Sequence, residues 1–326
     1  MKSDELRRIA EHSGTSVSTV RRVLSHCAGI TEETRRSVID ALDAQHSADG
    51  YSPSRRVHII LPDNPKFFWH RAFDVFNSHP FSPPAQFSFY PSLAQHDVLQ
   101  TYLEPLLTEK HSVLIYSANL DAAERSLVER IADHSLVIQL GEYTPLPGTV
   151  FVGSDSYGDG VRLGQLVAAH SRTPHVALLS RPENINMCER CRGFVDGVGT
   201  ATVHYLNEPD EQPLYSSLLA RLLNGVNDDL DFVFSPSGRT IELCQALYKL
   251  RKQSHAVGIG CELSPRLRSQ LNTAPLFAVL EQNIAEQTRI ALRLSDQYLS
   301  NGTRPEQERY ITPSVLWKIK DGNLTK

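Results

Sequence analysis

Long apolar runs are missing from this 326-residue chain. No stretch approaches the roughly 20 consecutive apolar residues that span a bilayer, and the first residues are polar, without the apolar core of a secretory signal. The expectation is a cytoplasmic protein with no membrane contact. A strong charge bias is missing too: 33 Lys and Arg stand against 37 Asp and Glu, a net charge of −4. Even residues 1–56 hold only nine basic against eight acidic side chains. Five cysteines, at 27, 188, 191, 244 and 261, give no secreted disulfide framework. Cys188-Glu-Arg-Cys191 lacks a second pair and a nearby histidine at ligand spacing, so it reads as ordinary thiols rather than zinc or redox chemistry. No nucleophile elbow, Walker or dinucleotide glycine signature, or His-Glu-x-x-His motif occurs. The expectation is therefore a protein that is not an enzyme and carries no cofactor and no metal.

What is present is a soluble globular composition, 40% hydrophobic and 21% charged, in a chain long enough for a small module and a larger body. In residues 6–24, Leu6, Ile9 and Ala10 fall at helical spacing, as do Val17, Val20, Val23 and Leu24. Between them Gly14 can take the left-handed conformation that ends a helix, and Ser16 can cap the next. Thr31 is a plausible N-cap for a third helix, with Glu32 and Glu33 in its first turn and Val38, Ala41 and Leu42 buried. Three such helices suit a helix-turn-helix module of residues 1–46, although a helical hairpin opening an enzyme shares the periodicity. Arg21–Arg22, Arg35–Arg36 and Arg55–Arg56 come in pairs that could build a local positive face.

From Val57 onward short apolar runs alternate with amphipathic segments. Candidate strands are 57–61, 87–90, 112–116, 136–140, 151–153, 175–179, 231–234, 256–260 and 276–280. Candidate helices are 67–78, 93–109, 121–133, 158–170, 188–198, 214–224, 239–251 and 284–299. The alternation predicts parallel sheets wrapped by helices, and so many elements over about 270 residues predict two similar lobes.

The run Ala10-Glu11-His12-Ser13-Gly14-Thr15-Ser16-Val17-Ser18-Thr19-Val20-Arg21-Arg22-Val23 resembles the headpiece of the LacI/GalR family of bacterial repressors. The resemblance extends through Val152-Gly153-Ser154-Asp155, Arg190-Cys191-Arg192-Gly193-Phe194, Gly258-Ile259-Gly260-Cys261-Glu262 and Val279-Leu280-Glu281-Gln282-Asn283. It implies a small all-α helix-turn-helix domain followed by a two-lobed α/β domain like that of periplasmic sugar-binding proteins (residues 57–326). The chain would cross between lobes near 152–156, 280–283 and 310–313. It also implies a sequence-specific transcriptional regulator, by default a repressor, acting as a homodimer on double-stranded operator DNA. A small effector (a sugar, polyol or sugar derivative) would bind between the lobes. The alternative is a sugar-binding protein whose headpiece no longer binds DNA.

On the DNA side, Val17, Ser18 and Arg22 would face outward from the second helix. Arg22 suits guanine O6 and N7 or a phosphate, Val17 a thymine methyl, and Ser18 a base edge or phosphate. Ser16, Thr19 and Thr34 are phosphate candidates, and Arg21 adds a charge of unassigned target. On the effector side, ligands sit at the carboxyl ends of parallel strands. Asp155 either accepts from two hydroxyls or caps the following helix. Arg190 suits vicinal hydroxyls, a carboxylate or a phosphate, or else forms a surface salt bridge. Glu262 stands where the family usually has Asp, its carboxylate displaced by about one C–C bond, and Gln282 offers a donor and an acceptor. Phe68 and Trp69 either stack on a sugar or belong to the core. Asn64, Ser237 and Arg239 complete the rim by position. The family's Asn-Tyr-x-Pro-Asn and hinge helix are replaced by His46-Ser47-Ala48-Asp49-Gly50-Tyr51-Ser52-Pro53-Ser54. Residues 47–56 therefore read as a linker without a hinge helix, and little operator bending is expected.

Overall fold

The structure, a computed structural model, describes residues 3–24, 30–31, 33–34, 37–38, 41, 56–63, 67–81, 85–91, 96–207, 230–250, 255–320 and 323–325. The chain divides into two compact units, Met1–Arg56 and Val57–Lys326.

In the first unit, α1 (Ser3–His12) and α2 (Val17–Leu24) flank a tight turn. Gly14 has φ +63°, and Thr15 N donates to Ala10 O across the helix end at 3.0 Å, the closure of a glycine-terminated helix. The Ser13 hydroxyl donates back to Ile9 O at 2.7 Å. Ser16 caps α2, its Oγ accepting from Thr19 N at 3.0 Å. Thr31 likewise accepts from Thr34 N at 3.2 Å, and the described residues beyond it, Glu33, Thr34, Ser37, Val38 and Ala41, are helical. Leu6, Ile9, Ala10, Val20, Val23, Val38 and Ala41 make one buried cluster. Leu42 and linker positions 47–55 lie outside the described residues.

The second unit contains two sheets built to one plan. In the first, strands β1 (Val57–Asp63), β2 (Ala85–Pro91), β3 (Val113–Tyr116), β4 (Leu136–Leu140), β5 (Thr149–Gly153) and a late strand, β11 (Arg309–Ile311), lie in the order β11-β5-β4-β3-β1-β2, all parallel. In the second, β6 (His175–Ser180), β7 (Thr202–Asn207), β8 (Phe232–Phe234), β9 (Val257–Cys261), β10 (Leu276–Glu281), β12 (Val315–Lys320) and β13 (Asn323–Thr325) run β13-β12-β10-β9-β8-β6-β7. Here β12 is antiparallel to β10. In both sheets the first strand sits between the second and third, which creates a topological switch point at its carboxyl end. The strands read as continuous apolar runs because helices cover both faces; all of Val113–Tyr116 and Leu136–Leu140 is buried.

Helices α3 (Phe67–Ser78), α4 (His96–Leu103) and α5 (Ala122–Ala132) serve the first lobe. Helices α6 (Ser156–His170), α7 (Ile185–Val198), α8 (Thr240–Leu250) and the short α9 (Pro265–Arg268) serve the second. Helix α10 (Ile284–Asn301) returns to the first lobe, where Ile284, Ala291 and Leu292 join the core around Ile59, Ile115 and Ile138. The chain passes between sheets three times, after Gly153, after Glu281 and after Ile311, the places expected. Among the described residues no helix is long and apolar enough to cross a membrane.

Several expectations need correction. The single helix 93–109 is α4 followed by a 3-10 turn, Glu104–Thr108, because Pro105 cannot continue α-helical hydrogen bonding. Helices α6 and α7 start earlier than expected, at the caps Asp155 and Asn184. Strands β7, β11, β12 and β13 were not among the candidates: β7 is an edge strand whose residues are half polar and all at least partly exposed, which weakens the apolar signal. The candidate helix 214–224 lies outside the described residues.

Candidate functional site

The carboxyl ends of the two sheets bring together residues far apart in sequence. Helix α7 carries Arg190, and its packing against α6 fixes where that side chain emerges. Gly160 and Gly164 of α6 face Gly193 and Gly197 of α7 so closely that backbone touches backbone. A Cβ on Gly160 would lie 2.1 Å from Arg190 O, and one on Gly193 2.1 Å from Tyr157 O. Only glycine permits this approach, the logic of small-residue helix contacts.

Arg190 is 4% exposed, so the surface salt-bridge reading is wrong. Its Nη1 donates to Pro236 O at 2.6 Å and its Nη2 to Ser156 Oγ at 3.4 Å, while Nε is buried without a partner. Burial works against its charge, but Cys261, Asp159, Glu262 and Glu142 more than offset it, and the pKa moves above the usual arginine value. The Cys261 thiol is itself pushed up to about 12 by burial.

Glu262 follows β9 with φ +70°, an uncommon conformation for a non-glycine residue. Its Oε1 accepts from Gln282 Nε2 at 3.0 Å and from Gln282 N at 3.3 Å. Burial nevertheless pushes its carboxyl up to about 7, against the pull of those hydrogen bonds and of Arg190. Gln282 Oε1 accepts from Ser154 Oγ at 2.7 Å, so one hydrogen-bonded chain, Ser154–Gln282–Glu262, links the first and second crossings to the end of β9. Asp155 is exposed, and its Oδ1 accepts from Gly158 N at 3.0 Å; the capping geometry is the one present.

The remaining candidates fall on the same edges. Ser237 is half-buried beyond β8, 3.3 Å from Ser235 Oγ through its own hydroxyl, and Arg239 is buried nearby in sequence. Phe68 and Trp69 meet edge to face at 5.0 Å, are half-buried, and pack on the first-lobe core. Trp69 also reaches Gly141, where a Cβ would lie 3.8 Å from its Cη2, so the pair is core on one side and sheet edge on the other. Asn64 lies outside the described residues.

Three residues were missed. Glu142, two positions beyond β4, accepts from Asn184 Nδ2 at 3.1 Å and from Asn186 Nδ2 at 2.8 Å on the other lobe. The rule that selected Asp155, polarity just past a strand, applies equally to Glu142; Asn184 and Asn186 were hidden by the late start assigned to α7.

In the first unit Ser16, Ser18, Arg21 and Arg22 are exposed and Thr19 and Thr34 half-buried. The Ser16 and Thr19 hydroxyls bond each other at 2.9 Å. Val17 is turned partly inward, packed against the helical core, so less of it faces out than expected. Cys188 and Cys191 direct their thiols at the carbonyls of Arg181 and Leu179, at 3.4 and 3.6 Å. Among the described residues no group of three His, Cys, Asp or Glu side chains could hold a metal ion.

No family model and no curated protein matches the chain. Solved structures do. A glucose-galactose binding protein from Geobacillus stearothermophilus is 15% identical with a TM-score of 0.67, over 82% of this chain and 98% of that one. A solute binding protein from Bacillus halodurans C-125 with bound myo-inositol is 13% identical at 0.69, over 82% and 96%. A periplasmic solute binding protein from Actinobacillus succinogenes 130z with bound D-allose is 13% identical at 0.68, over 82% and 99%. The likeness shows the fold: two parallel-rich α/β lobes of the periplasmic-binding-protein kind.

Proposed function

We propose that the chain is a sequence-specific DNA-binding transcriptional regulator, by default a repressor, whose operator affinity is set by a small polyhydroxylated effector held between the two lobes. The observation that carries the reading is the joining of two units in one chain. One is a capped helix–glycine turn–helix with Ser18, Arg21 and Arg22 exposed on its second helix; the other has a fold whose relatives hold myo-inositol and D-allose. Arg190, Glu262 and Gln282 would hold hydroxyls from the second lobe and the crossing, with Asp155 at the first crossing and Trp69 against an apolar sugar face. Among the described residues the polar groups at these strand ends come from separate loops, an arrangement that suits holding a ligand.

On DNA, Ser18 and Arg22 would meet base edges in the major groove, with Ser16, Thr19 and Thr34 toward phosphates and Arg21 adding positive charge to the same face. A single module reads too few base pairs for specificity, so a homodimer on a two-fold symmetric site is part of the proposal. Lobe closure need change operator affinity by only about 1–3 kcal/mol to act as a switch. An electrophoretic shift on the chain's own upstream DNA tests this: binding should weaken steeply from 50 to 200 mM salt. The near-neutral charge of residues 1–56 favours one second reading, a sugar-binding protein with a silent headpiece; sugar binding without any shift at low salt would establish it.

A further inference from the structure

Glu142 belongs to the first lobe, just past β4, while Asn184 and Asn186 open α7 on the second. One oxygen, Glu142 Oε2, accepts from both amides, at 3.1 and 2.8 Å. The far end of Asn184 is also engaged, its Oδ1 accepting from Met187 N at 2.9 Å, so this amide is fixed from both ends. Asn184 and Asn186 are 7% and 9% exposed, and hydrogen bonds to a carboxylate in such surroundings are strong. Arg190 follows Asn186 by one helical turn on the same face, and Glu142 is among the carboxylates that act on it. None of the three residues belongs to the chain crossings. Their contact joins lobes that the covalent chain joins only elsewhere, and domain closure about such crossings is a common motion.

We propose that Glu142, Asn184 and Asn186 form a clasp that holds the lobes closed over the cleft and thereby sets the affinity of every cleft ligand alike. The affinity part rests on the cleft being the ligand site. A contact made only in the closed state shifts the open–closed balance by its own free energy. Apparent affinity then scales with the closed fraction, whatever the ligand. A residue touching the ligand would instead change the ranking of ligands.

The test uses the full chain, wild type and three variants: Glu142→Ala, Asn186→Ala and their double. A fourth, Asn186→Asp, is nearly isosteric and sets a carboxylate against Glu142. Without ligand, small-angle X-ray scattering should give a larger radius of gyration for each single variant, with no further increase in the double. An unchanged radius in all of them, with circular dichroism showing folded protein, overturns the clasp. Titration with D-allose, D-arabinose and myo-inositol should show affinity reduced by a common factor of about ten, with the order of the sugars kept. A loss confined to one sugar, or a gain, also overturns it. Should none of the three bind wild type, the polyol reading falls, while the scattering comparison still decides the clasp.

Discussion

Replacing Glu262 with Gln should make the protein more stable at alkaline pH and leave it unchanged in acid. The carboxyl stands at about 7 instead of 4.5 because burial outweighs two hydrogen bonds from Gln282 and the charge of Arg190. A carboxyl whose pKa is raised on folding binds its proton more tightly in the folded state. That contribution is fully present below about 4.5 and is lost as pH rises through about 7. At roughly 1.4 kcal/mol per decade, forcing the group to ionise costs on the order of 3 kcal/mol, less whatever water reaches the half-buried side chain. Gln keeps the acceptor that Gln282 uses and has no charge to lose. Urea denaturation of both proteins at pH 5, 6, 7 and 8 isolates the effect, because every other titrating group is common to the pair. The expected difference is about 0.5–1 kcal/mol at pH 5 and grows to a plateau of about 2–3 kcal/mol in favour of Glu262→Gln by pH 7–8. A pH-independent difference, or a variant less stable at pH 8, would show that Glu262 is ionised and stabilised by Arg190, and the reasoning would be refuted.

Other outcomes follow from the same geometry. Gly160→Ala puts a methyl 2.1 Å from Arg190 O, and backbone cannot yield as a side chain can, so thermal melts should show a loss of about 1–3 kcal/mol or more; an unchanged melting temperature would mean α6 and α7 are not in backbone contact. Arg190→Lys keeps the charge but loses the planar fork that reaches Pro236 O and Ser156 Oγ, and calorimetry should show sugar affinity reduced about 10- to 100-fold. Equal affinity would remove Arg190 from the ligand site. Arg22→Ala should lower operator affinity by about 1–3 kcal/mol with the sugar isotherm unchanged. If DNA binding stays intact, α2 is not the reading element.

The sheets were largely legible because strands covered on both faces carry uninterrupted apolar runs, as in Val113–Tyr116 and Leu136–Leu140. The turn at Gly14 and the cap at Ser16 were legible for the opposite reason, since they depend on local backbone chemistry alone. Strand β7 was not, because an edge strand need bury little and Tyr205 is 63% exposed. Arg190, Glu262 and Gln282 were singled out by the family resemblance and by their positions past strands and near a helix start. The hydrogen-bonded chain Ser154–Gln282–Glu262 was not legible, since pairing Ser154 with Gln282 spans 128 residues and depends on how the sheets meet. Nor could sequence show that Arg190 is buried: an arginine on an amphipathic helix ordinarily faces water, as its neighbour Arg192 does, whereas Arg190 is held by Pro236 O and Ser156 Oγ beside the close α6–α7 contact.

The central claim joins the two units, so its most direct test measures both at once. Fluorescence anisotropy of a labelled duplex from the chain's own upstream region would be followed against protein concentration, with and without a saturating sugar that the protein binds. Operator affinity is expected to shift by about 5- to 150-fold, and the duplex should shift sugar affinity by the same factor, as linkage requires. Identical DNA isotherms with and without the sugar, or no DNA binding at low ionic strength in either case, would contradict the account.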